Sequence, residues 1–559
     1  MRIALAQINS HIGNFEGNLQ KILKYIDEAR AEGVDIVVFP ELATCGYPPR
    51  DFLEFNDFID QCNMVLDQVR EYTKGIAVLI GSPAVNPEKE GKDLHNAAFF
   101  IADQKIIHQH NKTLLPTYDI FDEYRYFEPS HDFKVFEYKG YRIALTVCED
   151  LWNLGNENPI YTVCPMDKMI DQQPDLIFNI SASPFAYDHA QERIDVVRAN
   201  VLKYKKPLFY CNTVGAQTDV VFDGGSLVFS GDGTLVDELP YFEECLRSYD
   251  VQGTKSDVRC AMYDVNLTKH PISFGPQPKE KYKLMHDAIL LGIRDYFGKL
   301  GFKSAVLGLS GGIDSALTAA LAVRALGKDH VTGLMMPSRY SSQHSVDDAV
   351  ALAKNLGIQY HIIDIEPMYE RFLQQLQPIL SDKPFNVTEE NIQARVRGTL
   401  LMATSNKLGH ILLNTTNKSE MSVGYGTLYG DLCGGLSVLG DVYKTEVYQL
   451  VAYVNKDHEV IPHNSISKPP SAELRPGQKD SDSLPDYEIL DPILYQYIVK
   501  RQGPKEIIAK GNDETLVKRI LRMVNINEFK REQTAPVIRV SSKAFGMGRR
   551  MPIVGKYLG

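Results

Sequence analysis

The chain has 559 residues, more than one hydrophobic core usually serves, so two large domains are expected. Its 44% hydrophobic and 23% charged residues are those of an ordinary globular protein, and a formal net charge of -11 argues against a surface built to coat nucleic acid. No apolar stretch approaches the length of a membrane span, and the start MRIALAQINSHIGNFEGN turns polar too early for a signal peptide. The 8 cysteines include no CxxC pair and fit reduced thiols, so a cytoplasmic protein without nucleic-acid or membrane partners is expected.

Short apolar runs alternate with amphipathic stretches through the first half. Strands are expected at 3–8, 36–39, 76–80, 96–101, 105–110, 141–147, 176–180, 208–211 and 226–229, and helices at 18–31, 57–72 and 189–203. The pattern is that of a layered α/β domain with a mixed sheet or sheets. Three reactive side chains stand just beyond strand ends: Glu41 after VVFP, Lys112 after KIIHQHN and Cys148 after RIALTV. Ligands bind at the carboxyl ends of strands in such sheets, so the three could converge. A thiol beside an ammonium and a carboxylate can be held as thiolate, the carboxylate can carry its proton, and the ammonium can stabilise an oxyanion. Taken singly, each has a plainer explanation: Cys as a small buried hydrophobe, Glu and Lys as solvated charges. His108 and His110 share one face of a strand, a pattern that packing or surface position explains more often than a metal.

The words around these residues, FPELATCGYPPRDFL, NKTLLPTYDIFDEYRYF and CEDLW, resemble the nitrilase superfamily, and most closely its glutamine-amidase branch, over residues 1–264. The resemblance implies an α-β-β-α sandwich. It also implies Glu41 as general base, Lys112 as support for the geometry and the oxyanion, Cys148 as nucleophile, and Glu123 as a second glutamate that orients the catalytic group. By the same matching, Tyr118, Ser183 of SASPF and His189 would contact glutamine, His189 standing where Arg or Lys is usual.

Residues 266–283 carry three prolines and few apolar side chains, and are expected to link a first domain, 1–265, to a second, 284–559. After a helix at 284–300 comes SAVLGLSGGIDSALTAALAVRAL, residues 304–326, which reads as a strand, a glycine turn and a helix from Ile313. Such a turn aims free backbone N–H groups and the positive end of the helix dipole at one point, which suits a phosphate. Gly311 and Gly312 let the backbone approach the anion, and the hydroxyls of Ser310 and Ser315 add donors. Asp314 would repel phosphate unless a cation lay between them, so it reads as a magnesium ligand. No Lys follows the glycines, which excludes a Walker loop. Strands at 331–335, 360–365 and 410–414 alternate with helices at 345–356, 388–407 and 442–455, a doubly wound parallel sheet with its nucleotide at the carboxyl edge. Residues 466–487, rich in Pro, Ser and charge, read either as a lid over that edge or as a plain surface loop.

In this setting SGGIDS resembles the pyrophosphate loop of the N-type ATP pyrophosphatases, which activate a carboxylate or carbonyl as an adenylate. The stretches EENIQARVRGTLLMATSN, LLNTTNKSEMSVGYGTLYGD and REQTAPVIRVSSKAFGMGRRMPI are similar to the NAD synthetases of that superfamily, with Thr416 where glycine is usual. The resemblance implies ATP contacts from Gly308, Leu309, Ser310, Gly311, Gly312, Ile313, Asp314, Ser315 and Thr415. It implies contacts to the deamidated dinucleotide from Asn391, Glu420 and Lys530, and Mg2+ shared by Asp314 and Glu420. Arg395 and Arg397 would bring charge to the phosphates or form a solvated, ion-paired face. Together the halves resemble the glutamine-dependent NAD synthetases. That family resemblance implies ATP-dependent amidation of deamido-NAD through an adenylate, with ammonia taken from glutamine, in a homo-oligomer. Ammonia in neutral water is mostly protonated and cannot attack an adenylate, so delivery along an enclosed path, within one chain or between subunits, is expected. Two other readings stay open, another amidating ligase with the same loop and a nucleotide-sensing protein without turnover.

Overall fold

The computed structural model describes residues 1–154, 160–252, 257–260, 278–380 and 383–557. The chain divides into two units, Met1–Pro276 and Gln277–Gly559. Of the expected linker, residues 266–277 lie outside the described residues, and the rest belongs to helix Pro278–Leu300, which starts at 278 rather than 284.

Among its described residues the first unit is built on two mixed sheets, with a two-stranded antiparallel pair, Val214–Gln217 and Val220–Asp223, besides. One has seven strands in the order 257–260, 245–252, 2–7, 36–38, 77–85, 94–102, 105–111. The other has six, in the order 235–238, 227–229, 208–212, 176–181, 141–147, 136–138. Side-chain alternation decides which way each strand faces. Ile3, Leu5, Val38 and Leu79 of one sheet join Leu145, Val147, Phe178 and Phe209 of the other in one buried core. The intervening Ala4, Ala6, Val37 and Val78 turn to Ile22, Ile26, Val65 and Val69 of helices Phe15–Ala31 and Asn56–Glu71. Ala144, Ile177 and Leu208 turn likewise to Ile194, Val197 and Val201 of helix His189–Tyr204. The four layers are the α-β-β-α sandwich that the nitrilase resemblance implies. Strand Cys245–Gln252, which pairs antiparallel with Arg2–Gln7 and extends the first sheet, was not among the expected strands.

The second unit is built on a five-stranded sheet in the order 359–362, 331–335, 305–308, 411–414, 436–437, with every neighbour parallel. The chain steps outward from 305–308 to 359–362 and then returns to the other side at 411–414. That reversal opens a crevice at the carboxyl ends of the two central strands, where doubly wound sheets bind ligands. The edge strand stops at Ile362 rather than 365, because Asp364 accepts from the backbone N–H of Glu366 at 2.9 Å and starts helix Glu366–Leu380 there. Beyond the sheet, Leu490, Ile493 and Leu494 pack with Val517, Ile520 and Leu521, and with Met421 and Val423 of helix Lys418–Val423.

Candidate active site

Strand Tyr141–Val147 ends at Cys148, which opens a short 3-10 turn with φ of 45°, a left-handed conformation that a non-glycine residue holds only when its surroundings impose it. Asp150 imposes it. Its Oδ2 accepts from the backbone N–H of Val147 at 2.9 Å, and its Oδ1 from those of Thr113 at 3.1 Å and Leu114 at 2.9 Å. One carboxylate thereby ties the residue before the cysteine to the two residues after Lys112. His110 Nε2 stands 3.4 Å from the same carboxylate, and His108 stacks on Phe136 at 4.7 Å, which accounts for both histidines by packing.

Glu41 sits on a loop whose next residue, Leu42, has φ of 46°. A Cβ on Gly81 would lie 2.3 Å from Leu42 N and 2.7 Å from Glu41 Cα, so only glycine at 81 admits this loop. Glu41 Oε1 accepts from Lys112 Nζ at 2.8 Å and Asn96 Nδ2 at 2.7 Å, and Oε2 from the backbone N–H of Ala182 at 2.9 Å. Lys112 Nζ also donates at 2.8 Å to Glu123 Oε1, which accepts from the Tyr47 hydroxyl at 2.7 Å. The three charged side chains are buried. Burial opposes the Lys112 ammonium, but Glu123 and Glu41 outweigh it and hold the lysine charged well above its ordinary range. Burial pushes the Glu123 carboxyl up to about 7, Lys112 pulling it down and Glu41 pushing it up.

The same environment corrects the expected thiolate. Burial, and then the charge of Glu41, push the Cys148 thiol well above its usual range, with Lys112 acting the other way. The lysine does not prevail because two carboxylates already share its charge.

Beside the cysteine lies Glu149, which the sequence reading passed over although it stands inside CEDLW. The Tyr118 hydroxyl donates to it at 2.9 Å and the Tyr161 hydroxyl at 3.1 Å. Burial pushes its carboxyl up. Ser183 is buried and donates its backbone N–H to Asn212 Oδ1 at 2.8 Å. His189 opens helix His189–Tyr204, stacks on Trp152 at 5.3 Å, and places Nδ1 3.0 Å from Glu192.

The second unit holds a cavity of about 300 Å³ at its crevice, lined by Gly308, Leu309, Ser310, Gly312, Ile313, Asp314, Ser315, Thr415 and Glu420 among others. Helix Ile313–Leu326 starts as expected. Gly311 has φ of 79°, and a Cβ there would lie 2.2 Å from the carbonyl oxygen of Ser345. Gly312 N donates to Ser310 Oγ at 3.2 Å, and Ser310 Oγ lies 3.1 Å from Ser315 Oγ, so the turn is held by its own hydroxyls. Asp314 Oδ1 accepts from Asn417 Nδ2 at 2.9 Å, and its Oδ2 faces Lys444 Nζ. Lys444 Nζ lies 3.6 Å from Glu420 Oε1. Burial and the charge of Asp314 push Glu420 up to about 8, with Lys444 pulling it down. Lys444 was not among the residues singled out from the sequence, yet it joins both carboxylates and lines the cavity.

Other residues of this unit stand differently. Arg397 lines the cavity and donates its Nε to Met336 O at 2.9 Å, whereas Arg395 is exposed and donates to Leu428 O at 3.3 Å. Asn391 and Lys530 are not cavity-lining residues. Asn391 Oδ1 accepts from Thr427 Oγ1 at 2.7 Å, and Lys530 Nζ donates to the carbonyls of Gly424 at 2.7 Å and Gly426 at 2.8 Å, so both grip one loop beside it. In the stretch 466–487, Lys468, Glu473 and Asp480 line the cavity. Among the described residues no group of three or more His, Cys, Asp or Glu side chains could hold a metal, and no helix is long and apolar enough to cross a membrane.

Residues 2–258 match the carbon-nitrogen hydrolase family and residues 285–534 the NAD synthase family. The glutamine-dependent NAD(+) synthetase of Synechocystis sp. is 44% identical over 561 residues, covering 99% of this chain and 98% of that protein. That of Thermotoga maritima is 38% identical over 581 residues, covering 100% and 99%. A solved structure of glutamine-dependent NAD+ synthetase from Acinetobacter baumannii in complex with adenosine diphosphate is 36% identical, with a TM-score of 0.77 over 100% of this chain and 99% of that one. The fold is also shared with the enzyme structure from Cytophaga hutchinsonii, at 20% identity and a TM-score of 0.80 over 100% of this chain and 98% of that one. With full-length similarity at this level and both family matches on one chain, the protein belongs to the glutamine-dependent NAD(+) synthetases.

Proposed function

We propose that this chain amidates deamido-NAD to NAD with ATP, using ammonia that its first unit releases from glutamine. The observation that carries the reading is the presence of two separate charge clusters, the buried Glu41–Lys112–Glu123 beside Cys148 and, beside the SGGIDS turn, Asp314–Lys444–Glu420, whose lysine is buried and whose carboxylates are half-buried. In the first, Cys148 sulfur attacks the side-chain amide carbon of glutamine while Glu41 takes the thiol proton and passes it to the departing ammonia. A thioester results, and water resolves it with Glu41 again taking and returning the proton. Lys112 faces the developing oxyanion, and Glu123 holds the lysine in place. Glu149 offers a carboxylate for the α-ammonium of glutamine, with Tyr118, Ser183 and His189 lining the remainder of its site.

In the second cluster, the backbone of residues 308–315 and Thr415 hold ATP, and the Lys444 ammonium balances the triphosphate. Asn391, Glu420 and Lys530 bind deamido-NAD, Asn391 and Lys530 by way of the loop they grip. Asp314 and Glu420 both lie beside one ammonium, and Mg2+ commonly takes one or two protein carboxylates and completes its shell with water and phosphate oxygens, so the pair fits that ion. When bound, it would neutralise charge on the triphosphate and on the departing pyrophosphate. The nicotinate carboxylate attacks the α-phosphorus, pyrophosphate leaves, and ammonia then displaces AMP. Heavy oxygen placed in that carboxylate should therefore appear in AMP; label that stayed out of AMP, or release of ADP and phosphate, would sink the adenylate.

Two further results are expected of the amidase unit. Its chemistry uses the Glu123 carboxylate in charged form, and that form prevails above about 7. Glutamine hydrolysis should therefore rise with pH through about 7, and Glu123→Gln should flatten that limb of the kcat/KM profile as well as lowering it. Gly81→Ala should push the Glu41 loop away and lower hydrolysis by roughly 100-fold, the usual effect of a displacement near 1 Å. Synthesis driven by added ammonium should stay at the wild-type rate.

A further inference from the structure

Helix Lys444–Val454 begins at the crevice with backbone N–H groups that no residue of the helix itself can accept. Their acceptors come from elsewhere in the chain. The N–H of Lys444 donates to Ser419 Oγ at 2.9 Å, and Ser419 Oγ donates in turn to Asp491 Oδ1 at 2.5 Å. The N–H of Thr445 and its hydroxyl both donate to Asp491 Oδ2 at 2.9 Å. Asp491 lies on helix Tyr487–Leu494 and is 4% exposed. A carboxylate at this place also suits the positive end of the helix dipole.

The neighbours of these partners matter more than the cap itself. Ser419 precedes Glu420, and Thr445 follows Lys444, so one buried carboxylate holds the Ser419 hydroxyl next to one charged group of the cavity and the Thr445 N–H and hydroxyl next to the other. Those two groups stand 3.6 Å apart, and Lys444 also faces Asp314. One turn before Asp491, the Tyr487 hydroxyl donates to Asp480 Oδ2 at 2.9 Å, and the Lys444 ammonium lies 5.5 Å from the Tyr487 ring centre. We infer that Asp491 is a positioning residue for the nucleotide chemistry, setting Lys444 and Glu420 in register with each other and with Asp314. The inference rests on the ATP-dependent reading of this cavity. A plain structural cap would make another demand: its loss would lower stability but leave the kinetics of each folded molecule unchanged.

All the bonds given above to Asp491 come from donors. Asp491→Asn keeps the shape but turns an NH2 group toward either Ser419 or Thr445, so the register should slip while the core stays filled. Ammonium-driven NAD formation, with ATP and deamido-NAD varied separately, is the assay, and kcat is taken per folded molecule from near-ultraviolet circular dichroism. We expect kcat to fall by roughly 10- to 100-fold and the KM for ATP to rise. Thr445→Val, which keeps the backbone bond and loses the hydroxyl, should fall several-fold. The double variant should be no worse than Asp491→Asn alone, because both changes act on one joint. Kinetics within twofold of wild type in folded Asp491→Asn, or effects that simply multiply in the double variant, would overturn the inference. Should Asp491→Asn not fold, Thr445→Val and Ser419→Ala decide it: a lowered kcat in both supports the joint, and an unchanged kcat in both removes it. The wild-type rate in the same assay reports on the function of the cavity, whereas the ratio of variant to wild type reports on Asp491 alone.

Discussion

Cys148→Ala is expected to abolish NAD synthesis from glutamine while leaving synthesis from ammonium at alkaline pH close to wild type. In the proposed mechanism the sulfur is the one group that forms the covalent intermediate, and nucleophile deletions of this kind cost about 10⁴-fold or more in kcat. Nothing beside it can substitute, since Glu41 is engaged by Lys112, Asn96 and the Ala182 N–H, and Glu149 by two tyrosines. The ammonium arm separates loss of the nucleophile from loss of the fold, because the residues proposed for adenylation lie in the other unit. High pH is needed because the free base attacks and its protonated form does not. Both rates are read by following NAD. Equal loss from glutamine and from ammonium would mean that Cys148 serves something other than nitrogen release.

The complementary result is expected of Asp314→Asn. Pyrophosphate release should fall by roughly 1,000-fold, and glutamine hydrolysis should persist. In the native chain Asp314 shares the Lys444 ammonium with Glu420 and accepts from Asn417. The amide would keep the Asn417 bond by its oxygen but present NH2 to an ammonium, leaving Lys444 with Glu420 alone. The triphosphate would then meet one carboxylate where two had been available to share a cation. Pyrophosphate is measured by a coupled assay and glutamate by a separate one. Ordinary pyrophosphate release from this variant would remove Asp314 from the adenylation step.

Much of the first site was legible because its residues sit at strand ends inside distinctive words. Glu41, Lys112 and Cys148 each stand just beyond a strand, and Asn96 and the Ala182 N–H join Glu41 from neighbouring strands. What stayed hidden depends on tertiary folding. Lys444 meets Asp314 across 130 residues, and no local pattern distinguishes it from a lysine at the start of any helix. Asp491 reaches Ser419 across 72 residues for the same reason. The thiolate that the sequence allowed is opposed by burial: the pattern placed a lysine and a cysteine at strand ends, but did not show that both are buried or that a second carboxylate holds the lysine. The helix of residues 366–380 was passed over, and its start depends on a cap by Asp364 two residues upstream.

The Glu41–Lys112–Glu123 cluster also bears on how heat-resistant this chain can become. A lone buried ion pair rarely stabilises a fold, because taking its charges out of water offsets their attraction, and here three charges are buried together. Deleting one member should cost about 3–5 kcal/mol, since the others are left unmatched. Replacing all three with apolar side chains of similar volume would be neutral or would stabilise the unit by about 1–4 kcal/mol. Selection for thermal tolerance alone would therefore tend to erase this cluster, and a hardened variant that still consumes glutamine must gain its stability elsewhere in the sandwich.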